Sequence, residues 1–150
     1  MIRPRQSRSL RTDATAALDG CAAHHSRMAA RRISQFIEQR LAPSGLSIPQ
    51  FGLMCQIAAA QDDSLTALAA RMGLDPSTLS RNLGGLVREE LVEIASPDDD
   101  GRRKLVWLTE TGALKLEAAI PLWRAAHDDL AALIDTGLAV RLSAATATLD

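Results

Sequence analysis

Tyrosine is absent from this chain, and aromatic residues of any kind make up only 3% of it. β-branched residues are also sparse outside one segment, whereas alanine and leucine dominate, so the composition favours helices over sheet. With 47% hydrophobic residues, 150 residues can bury one substantial core, which we expect to form a single compact domain. The predicted fold class is therefore mainly α with a small β component (α+β).

Cysteine is equally scarce, and its two occurrences, Cys21 and Cys55, lie far apart. The arginines of the N-terminus are not followed by an apolar stretch, so we expect no secretory signal and a location in the reducing cytoplasm. Apolar runs are short and interrupted by charges, so no membrane span is expected. The chain contains no glycine-rich phosphate loop and no metal-ligand string. These absences predict a protein that is not an enzyme and binds no cofactor or metal.

The net charge of −1 hides an asymmetry along the chain. Residues 1–40 carry eight arginines against three acidic residues, whereas the remainder carries nine basic and fifteen acidic residues. The field of the whole chain does not attract phosphate, so any contact with nucleic acid must come from local basic patches. Residues 1–12 contain four of the arginines and little apolar surface, and are predicted to form a mobile basic arm.

The rest of the chain is organised around residues 65–91. Apolar residues at helical spacing predict a short helix that Gly73 ends, and Asp75 with Pro76 begins a second helix as N-cap and first-turn proline. The second helix is predicted to bury Leu79, Leu83 and Leu86. Its opposite face is small, polar and basic, which suits contact with a large anionic partner. Two short helices joined by such a turn predict a helix-turn-helix, whose second helix lies in the major groove of double-stranded DNA.

The first turns of a recognition helix are where side chains reach base edges and backbone amides face phosphates. An ordinary solvated helix start is the alternative, since serine and threonine are common there. The predicted DNA contacts in this helix are Ser77, Thr78, Ser80, Arg81 and Arg88. Gly84 and Gly85 each cost about 1 kcal/mol in a helix interior. Close approach of a phosphate backbone or of a neighbouring helix would offset that cost.

Helices are predicted on both sides of this segment. Residues 13–41 form one long predicted helix whose apolar stripe is too broad for a small domain to cover, so part of it should meet a second chain. Residues 47–50 form a capping box that opens the next helix, and Ser64 caps the one after it. Thr109 caps a second long helix, in which a kink is expected at Pro121, and Gly137 precedes a last short one. Those apolar positions are Leu114, Ala118, Leu122, Ala126, Leu130 and Leu133.

A hairpin is predicted directly after the recognition helix. Residues 91–95 alternate as a strand, residues 97–101 form a loop rich in turn residues, and residues 104–108 return as the second strand. Two strands in this position form the wing of a winged helix.

The order of elements resembles that of the MarR family of winged-helix regulators over residues 20–130. The strings that carry the resemblance are LSIPQFGLM, LTALAARMGLDPSTLSRNLGGLV, DGRRKLVWLTETG and PLWRAA. The strongest marker is Asp100-Gly101-Arg102 followed, after the strand, by Leu108-Thr109-Glu110-Thr111-Gly112, because spacing and residue types both agree.

The resemblance implies a winged helix-turn-helix DNA-binding region at residues 47–109, between helical dimerisation regions at residues 13–46 and 110–150. It implies a homodimer whose two recognition helices enter successive major grooves of a near-palindromic operator. It also implies regulation of transcription, usually repression relieved by a small molecule or an oxidant.

In the wing, the resemblance makes Arg102 the residue that enters the minor groove, where narrow A·T tracts concentrate negative potential, with Arg103 as a further DNA contact. Asp100 would meet DNA unfavourably and is expected to orient Arg102 through a charge-assisted hydrogen bond. A solvated loop with charges of both signs is the alternative. Glu90 stands where the family usually has glycine, and a left-handed glutamate would cost about 1–2 kcal/mol, so we expect the recognition helix to end differently.

Two groups of residues are candidates for an effector or redox site. Cys21, His24 and His25 share one side of the first predicted helix, and some family members sense oxidants through a first-helix cysteine close to this position. A pocket between the dimerisation and DNA-binding parts is the second candidate, with a lining of Phe36, Phe51, Met54 and Trp123. Cys55 is a further candidate, although a place in the core is the more ordinary interpretation of it. Ordinary packing explains the same residues. The rival function is a winged-helix module that binds another protein, or senses thiol oxidation, without binding DNA.

Overall fold

The computed structural model describes residues 8–60, 64–96 and 103–149. The chain divides into two compact units, one ending at Gln35 and one beginning at Phe36, and each is described by itself. None of the described helices combines the length and apolarity needed to cross a membrane. In chain order the elements are α1 (Arg8–Gly20), α2 (Ala22–Leu41), a 3-10 turn (Ala42–Ser44), α3 (Ile48–Ala58), α4 (Leu65–Met72), α5 (Pro76–Arg88), β1 (Val92–Ala95), β2 (Leu105–Leu108), α6 (Glu110–Ala131) and α7 (Gly137–Thr146).

Two helices, α1 and α2, replace the single helix predicted over residues 13–41, and that prediction is wrong. The break falls at Cys21, directly after a glycine, which is a poor helix former. The Cys21 thiol accepts a hydrogen bond from the backbone N–H of His24 (N to Sγ 3.4 Å), as an N-cap does. Nε2 of His25 lies 2.9 Å from the carbonyl oxygen of Asp19, near the end of α1. Local polar contacts thus outweigh continuation of the helix.

The first helix begins earlier than expected. Because α1 starts at Arg8, residues 8–12 of the predicted basic arm are helical, and residues 1–7 lie outside the described part of the chain. None of the residues of α1 is buried.

Helices α3 to α6 begin at the N-caps predicted from sequence. Ser47 and Gln50 make both bonds of the capping box at α3, each backbone N–H donating to the other residue's side chain. The hydroxyls of Ser64 and Thr109 accept from the backbone N–H three residues ahead, and the Asp75 carboxylate does the same at α5. These predictions are confirmed because a cap depends only on atoms within one helical turn.

The helix-turn-helix has the predicted geometry. Gly73 ends α4 in the left-handed region (φ +60°), and α5 starts three residues later, at Pro76, behind its aspartate cap. The inner face of α5 is fully buried in the core of the second unit. Its buried residues are Leu79, Leu83 and Leu86, as predicted. The α5 backbone is therefore held on a rigid apolar base while its outer face stays open.

Strand β1 pairs with β2 in antiparallel fashion, with Val92 opposite Leu108. Val92 and Val106 are buried, so one side of the hairpin joins the core. The backbone N–H of Leu65, the first residue of α4, donates to the carbonyl of Lys104 (3.0 Å), just before β2. The wing is thus hydrogen-bonded to the first helix of the helix-turn-helix.

The end of α5 contradicts our expectation, because Glu90 does adopt the left-handed conformation (φ +57°). Its N–H donates to the carbonyl of Val87 (3.0 Å), and the N–H of Leu91 donates to the carbonyl of Leu86 (2.9 Å), the two bonds of a Schellman motif. Leu86 and Leu91 are both buried. Burying one leucine side chain is worth about 1.5–3 kcal/mol, which outweighs a strain of about 1–2 kcal/mol at the glutamate.

The end of α5 is joined directly to the start of α6. The Thr109 hydroxyl donates to the carbonyl of Glu90 (2.6 Å), and the Thr109 N–H donates to the carbonyl of Leu91 (3.1 Å). A Cβ atom on Gly112 would lie 1.9 Å from that same Leu91 oxygen, so only glycine fits there. We call these four residues the α5–α6 joint.

Helix α6 continues through Pro121 and buries only part of the predicted stripe, since Ala126 and Leu130 are buried as predicted but the residues buried earlier in the helix are different ones. Leu114 and Leu133 are 60% and 69% exposed, so their predicted place on the buried face is wrong. The joint fixes the rotation of α6 by facing Gly112 inward, and burial then follows at helical spacing from that residue. The buried residues of α6 are Gly112, Leu116, Ala119, Ala126 and Leu130.

Candidate nucleic-acid interface

Opposite its buried leucines, α5 presents a face of small, polar and basic side chains. At 100° per residue, one line along this face joins Ser77, Arg81, Gly84 and Arg88. Ser77, Ser80, Arg81 and Arg88 are exposed, and Thr78 is half-buried. The structure thus brings together all five residues predicted to contact DNA from this helix, with no bulky apolar side chain along the line.

The Asp75 carboxylate organises the first turn of this face. Its Oδ1 accepts hydrogen bonds from the backbone N–H groups of Ser77 and Thr78 (3.0 Å each) and from the Ser77 hydroxyl. Its Oδ2 accepts from the Thr78 hydroxyl (2.7 Å). Four donors from two consecutive residues therefore converge on one carboxylate.

These hydrogen bonds hold the pKa of Asp75 well below its usual range, the Ser77 hydroxyl contributing most and the Thr78 hydroxyl next. Two of the first-turn amides, which we expected to face phosphates, are directed at Asp75 instead. The helix start of the free protein is therefore already occupied by a negative charge, and positive charge on this face comes from the arginines.

Arg81 belongs to the same hydrogen-bonded group, because its Nη2 donates to the Thr78 hydroxyl oxygen (3.2 Å). Its guanidinium is thus held beside the helix start rather than turning freely in solvent. Arg88, two turns further along, makes no ion pair with any residue in the described ranges and is available to a partner.

Gly84 and Gly85 have open space around them. A Cβ atom built at either position would meet no described atom outside the helix's own backbone within 4 Å. Within this chain, then, no neighbouring helix accounts for the two glycines. Close approach by an external surface would account for the absence of side chains in this part of α5.

The wing contributes basic side chains at the start of β2. Arg103 and Lys104 are both exposed there. Asp100 and Arg102, predicted to orient and to enter the minor groove, lie outside the described residues. The hairpin that would carry them is anchored to the core and to α4, as described above.

Comparison with known proteins agrees with this geometry. The sequence model of a protein family described as "MarR family" matches residues 44–103 of this chain. The transcriptional regulator MosR of M. tuberculosis, whose structure was solved in complex with DNA, is 35% identical in sequence. The similarity covers 84% of this chain and 92% of that one, with a TM-score of 0.73. This chain belongs to the MarR family.

Two further members illustrate the range of similarity. The HTH-type transcriptional repressor NicR of Pseudomonas putida is 30% identical over 101 residues, a match that spans 67% of this chain and only 64% of that repressor. A mutant MarR from E. coli, complexed with operator DNA, is 22% identical in sequence and has a TM-score of 0.74. The match covers 89% of this chain and 96% of that one, and at this identity it shows a similarity of fold. Membership of the MarR family places the chain among transcriptional regulators and not among enzymes, in agreement with the sequence-based prediction.

The two cysteines of this MarR-family chain lie in different surroundings. Cys21 is half-buried in the first unit, where its sulfur caps α2 by accepting from the backbone N–H of His24. Cys55 is half-buried in the second unit, and desolvation raises the pKa of its thiol. Because the thiolate is the reactive form, a raised pKa lowers the reactivity of the Cys55 thiol toward oxidants. No three His, Cys, Asp or Glu side chains converge in a possible metal site within the described ranges.

The second unit contains an open, mostly apolar cleft of about 570 Å³. The rings of Phe51 and Trp123 stack in it with centroids 6.0 Å apart, and the ring centroid of His127 lies 4.5 Å from that of Trp123. The lining residues are Ile37, Ile48, Phe51, Gly52, Cys55, Gln56, Ile120, Trp123 and Arg124. The structure thus brings together Phe51, Cys55 and Trp123, whereas Cys21, His24 and His25 belong to the other unit.

Sequence reasoning identified Asp75 as a helix cap but missed its bonds to two side-chain hydroxyls. The Asp-Pro-Ser-Thr string carries that signal, because a cap residue can also reach the hydroxyls two and three positions ahead. Arg124 was missed as well. It lies one residue after Trp123 and was not distinguishable in sequence from an ordinary surface arginine.

Proposed function

We propose that this chain represses transcription in the cytoplasm as a homodimer bound to a near-palindromic operator. The observation that carries the proposal is the outer face of α5, where exposed hydroxyls and arginines surround two glycines on a rigid leucine base. A helix of this kind fits the major groove, and its arginines suit guanine edges and phosphates. The DNA complexes of MosR and MarR, and the repressor name of NicR, support the same conclusion.

The homodimer is supported by apolar side chains exposed near both ends of the chain. Neither α1 nor α7 buries a residue in the single chain. Exposed leucines, valine and isoleucine on this scale indicate a surface that a second copy covers. The large exposed apolar residues on and before these helices are Leu10, Leu18, Leu133, Ile134, Leu138, Val140 and Leu142. A dimer would present two recognition helices about 34 Å apart, one turn of the duplex.

The decisive measurement is the affinity of the full chain for a labelled duplex, taken from the region upstream of its own gene, as salt is raised. Binding through several phosphate contacts predicts that log affinity falls linearly with log salt, by about 0.9 per contact. Arg88→Ala should reduce that slope by about one contact, whereas Arg81→Ala should relax base preference. Arg141→Ala is the charge-matched control, because Arg141 lies on α7, outside the α5 face, and is paired with Asp135 just before that helix (2.8 Å). Because α7 belongs to the proposed dimer surface, this control is used only if the variant has the same oligomeric state as the native chain.

Size-exclusion chromatography with light scattering, run on the same samples, reports the oligomeric state. A monomer whose binding to every duplex is weak and independent of the α5 arginines would refute the proposal. That result would favour the rival function, a winged-helix module that binds another protein.

We further propose that a small molecule releases the operator by binding the cleft beside Phe51 and Trp123. The apolar lining and stacked rings suit a planar ring, and Arg124 supplies a cation for an anionic substituent. The raised pKa of Cys55 argues against an oxidant as the signal at this site.

Benzoate and benzyl alcohol are suitable probes, because they share a ring and differ in charge. In a Trp107→Phe background, the remaining indole of Trp123 reports occupancy by fluorescence, and operator affinity is measured in parallel. We expect benzoate to bind more tightly than benzyl alcohol, and Arg124→Met to abolish that preference. Equal binding of both probes with Arg124 intact would refute the anionic ligand class.

A further inference from the structure

We propose that Asp75 sets the hydrogen-bonding polarity of the Ser77 and Thr78 hydroxyls, so that both meet DNA as acceptors and select bases that present an amino group. The inference rests on the proposed contact between α5 and the major groove. It adds a positioning residue that determines specificity through its neighbours, without touching a base itself.

The polarity follows from counting hydrogens and lone pairs. A hydroxyl has one hydrogen to donate and two lone pairs to accept with, and an ionised carboxylate can only accept. The Ser77 hydroxyl is bonded to Oδ1 of Asp75 and the Thr78 hydroxyl to Oδ2, so both hydrogens point at the carboxylate. Arg81 donates to one lone pair of Thr78. Two lone pairs of Ser77 and one of Thr78 are left for a partner.

The arrangement is locked because the carboxylate stays ionised. Its four hydrogen bonds all favour the charged form, and bonds to an ionised acceptor are about twice as strong as neutral ones. Turning either hydroxyl hydrogen outward would remove one of these bonds. At any pH where the protein is folded and its aspartates are charged, the outward side of both hydroxyls is an acceptor.

The major groove distinguishes acceptors from donors. Cytosine N4 and adenine N6 are amino donors, whereas guanine O6 and thymine O4 are acceptors. An outward lone pair accepts a hydrogen bond from the amino groups of cytosine and adenine and is repelled by the oxygens of guanine and thymine. It is equally unable to donate to a phosphate oxygen. The hydroxyls of Ser77 and Thr78 are therefore assigned to base readout, and Arg81, which carries only donors, complements them by reading guanine.

Asp75→Asn tests this assignment while keeping the cap. The amide oxygen must take the Oδ1 position, because the reverse orientation would place an NH₂ group against two backbone N–H donors. The amide nitrogen then occupies the Oδ2 position and donates to the Thr78 oxygen. With Arg81 also donating there, both lone pairs of Thr78 are used and its hydrogen turns outward. Asparagine caps helices about as well as aspartate, so the fold is retained.

The expected result is an inversion of preference at one base position in each half-site. Selection from randomised duplexes by the full-length dimer should show cytosine or adenine there for the native chain. For Asp75→Asn it should show guanine or thymine, with a change in the preference ratio of about tenfold, within the range of a specific base contact. Removing a negative charge raises affinity for every duplex, so the ratio between bases, and not affinity, is the readout.

Thr78→Val provides the control, because it removes the hydroxyl and keeps the side-chain shape. Adding Asp75→Asn to Thr78→Val should leave the base preference of Thr78→Val unchanged. If Asp75→Asn shifts affinity equally for all bases while the salt slope stays native, this inference is overturned and the proposed DNA binding stands. If the native chain shows no salt-dependent binding to any duplex, this inference and the proposed DNA binding are both overturned.

A thermal melt of each variant accompanies the selection. Should Asp75→Asn fail to fold, Thr78→Val alone decides the question. Loss of the cytosine or adenine preference at one position would support the inference, and an unchanged profile would overturn it.

Discussion

Replacing Gly84 and Gly85 by alanine should stabilise the free protein and weaken its binding to DNA. Each glycine costs about 0.8–1 kcal/mol relative to alanine in a helix interior. A Cβ at either position meets no described atom outside the helix backbone within 4 Å, so no steric penalty in the free chain opposes the gain. The double variant should therefore gain about 2 kcal/mol, which for a chain of this length raises Tm by about 2–4 °C per kcal/mol.

The two effects are measured separately. Urea unfolding at a fixed protein concentration gives the free energy of unfolding, and the slope should be unchanged if only stability differs. Operator affinity is measured by fluorescence anisotropy without any effector. Gly84 lies on the line between Arg81 and Arg88, so its methyl group should weaken binding more than that of Gly85.

Gly52→Ala is the matched control, because Gly52 is exposed in the interior of α3 and also has open space around it. It should gain similar stability with unchanged operator affinity. If the Gly84→Ala and Gly85→Ala double variant gains stability and still binds the operator as tightly as the native chain, the glycines do not make room for DNA. If it loses stability, our description of the free helix is wrong.

Three further predictions concern the fold around this helix. Glu90→Gly should raise the free energy of unfolding by about 1 kcal/mol, since it relieves a left-handed glutamate, and a higher urea midpoint would demonstrate it. Gly112→Ala should lower the free energy of unfolding by about 3 kcal/mol or more, because the methyl group would overlap the Leu91 carbonyl. An unchanged melting temperature would contradict the close packing described at the α5–α6 joint. The pKa of Asp75 is lowered in the folded state, so its stabilisation is complete above its unfolded pKa of about 4 and is lost as pH falls toward the lowered value. The stability difference between the native chain and Asp75→Ala should thus be constant near neutral pH and shrink below about pH 4.

The parts of the fold that could be predicted are those decided within one helical turn. The caps at Ser47, Ser64, Asp75 and Thr109 each depend on a side chain reaching a backbone amide two or three residues ahead, which sequence spacing reports directly. The buried leucines of α5 were equally accessible, because apolar residues occur on one side of that helix only.

The parts that could not be predicted depend on contacts distant in sequence. Helix α6 offers more than one apolar stripe, and its packing against Leu91 through Gly112 decides which is buried, so Leu114 was misassigned. Glu90 adopts a strained conformation because the leucines on either side of the turn are buried together. In the site, the side-chain bonds that orient Ser77 and Thr78 depend on torsion angles that residue spacing does not report.

Because the α5–α6 joint connects the two helices, a tilt of α6 displaces the end of the recognition helix α5. A helix of 22 residues is about 33 Å long, so tilting it by 5° about its far end moves the joint by about 3 Å. Hydrogen bonds from Thr109 to Glu90 and Leu91 connect that displacement to the end of α5. In the proposed dimer the two displacements would add, so a small change of angle far from the duplex would move both recognition helices out of register with its grooves.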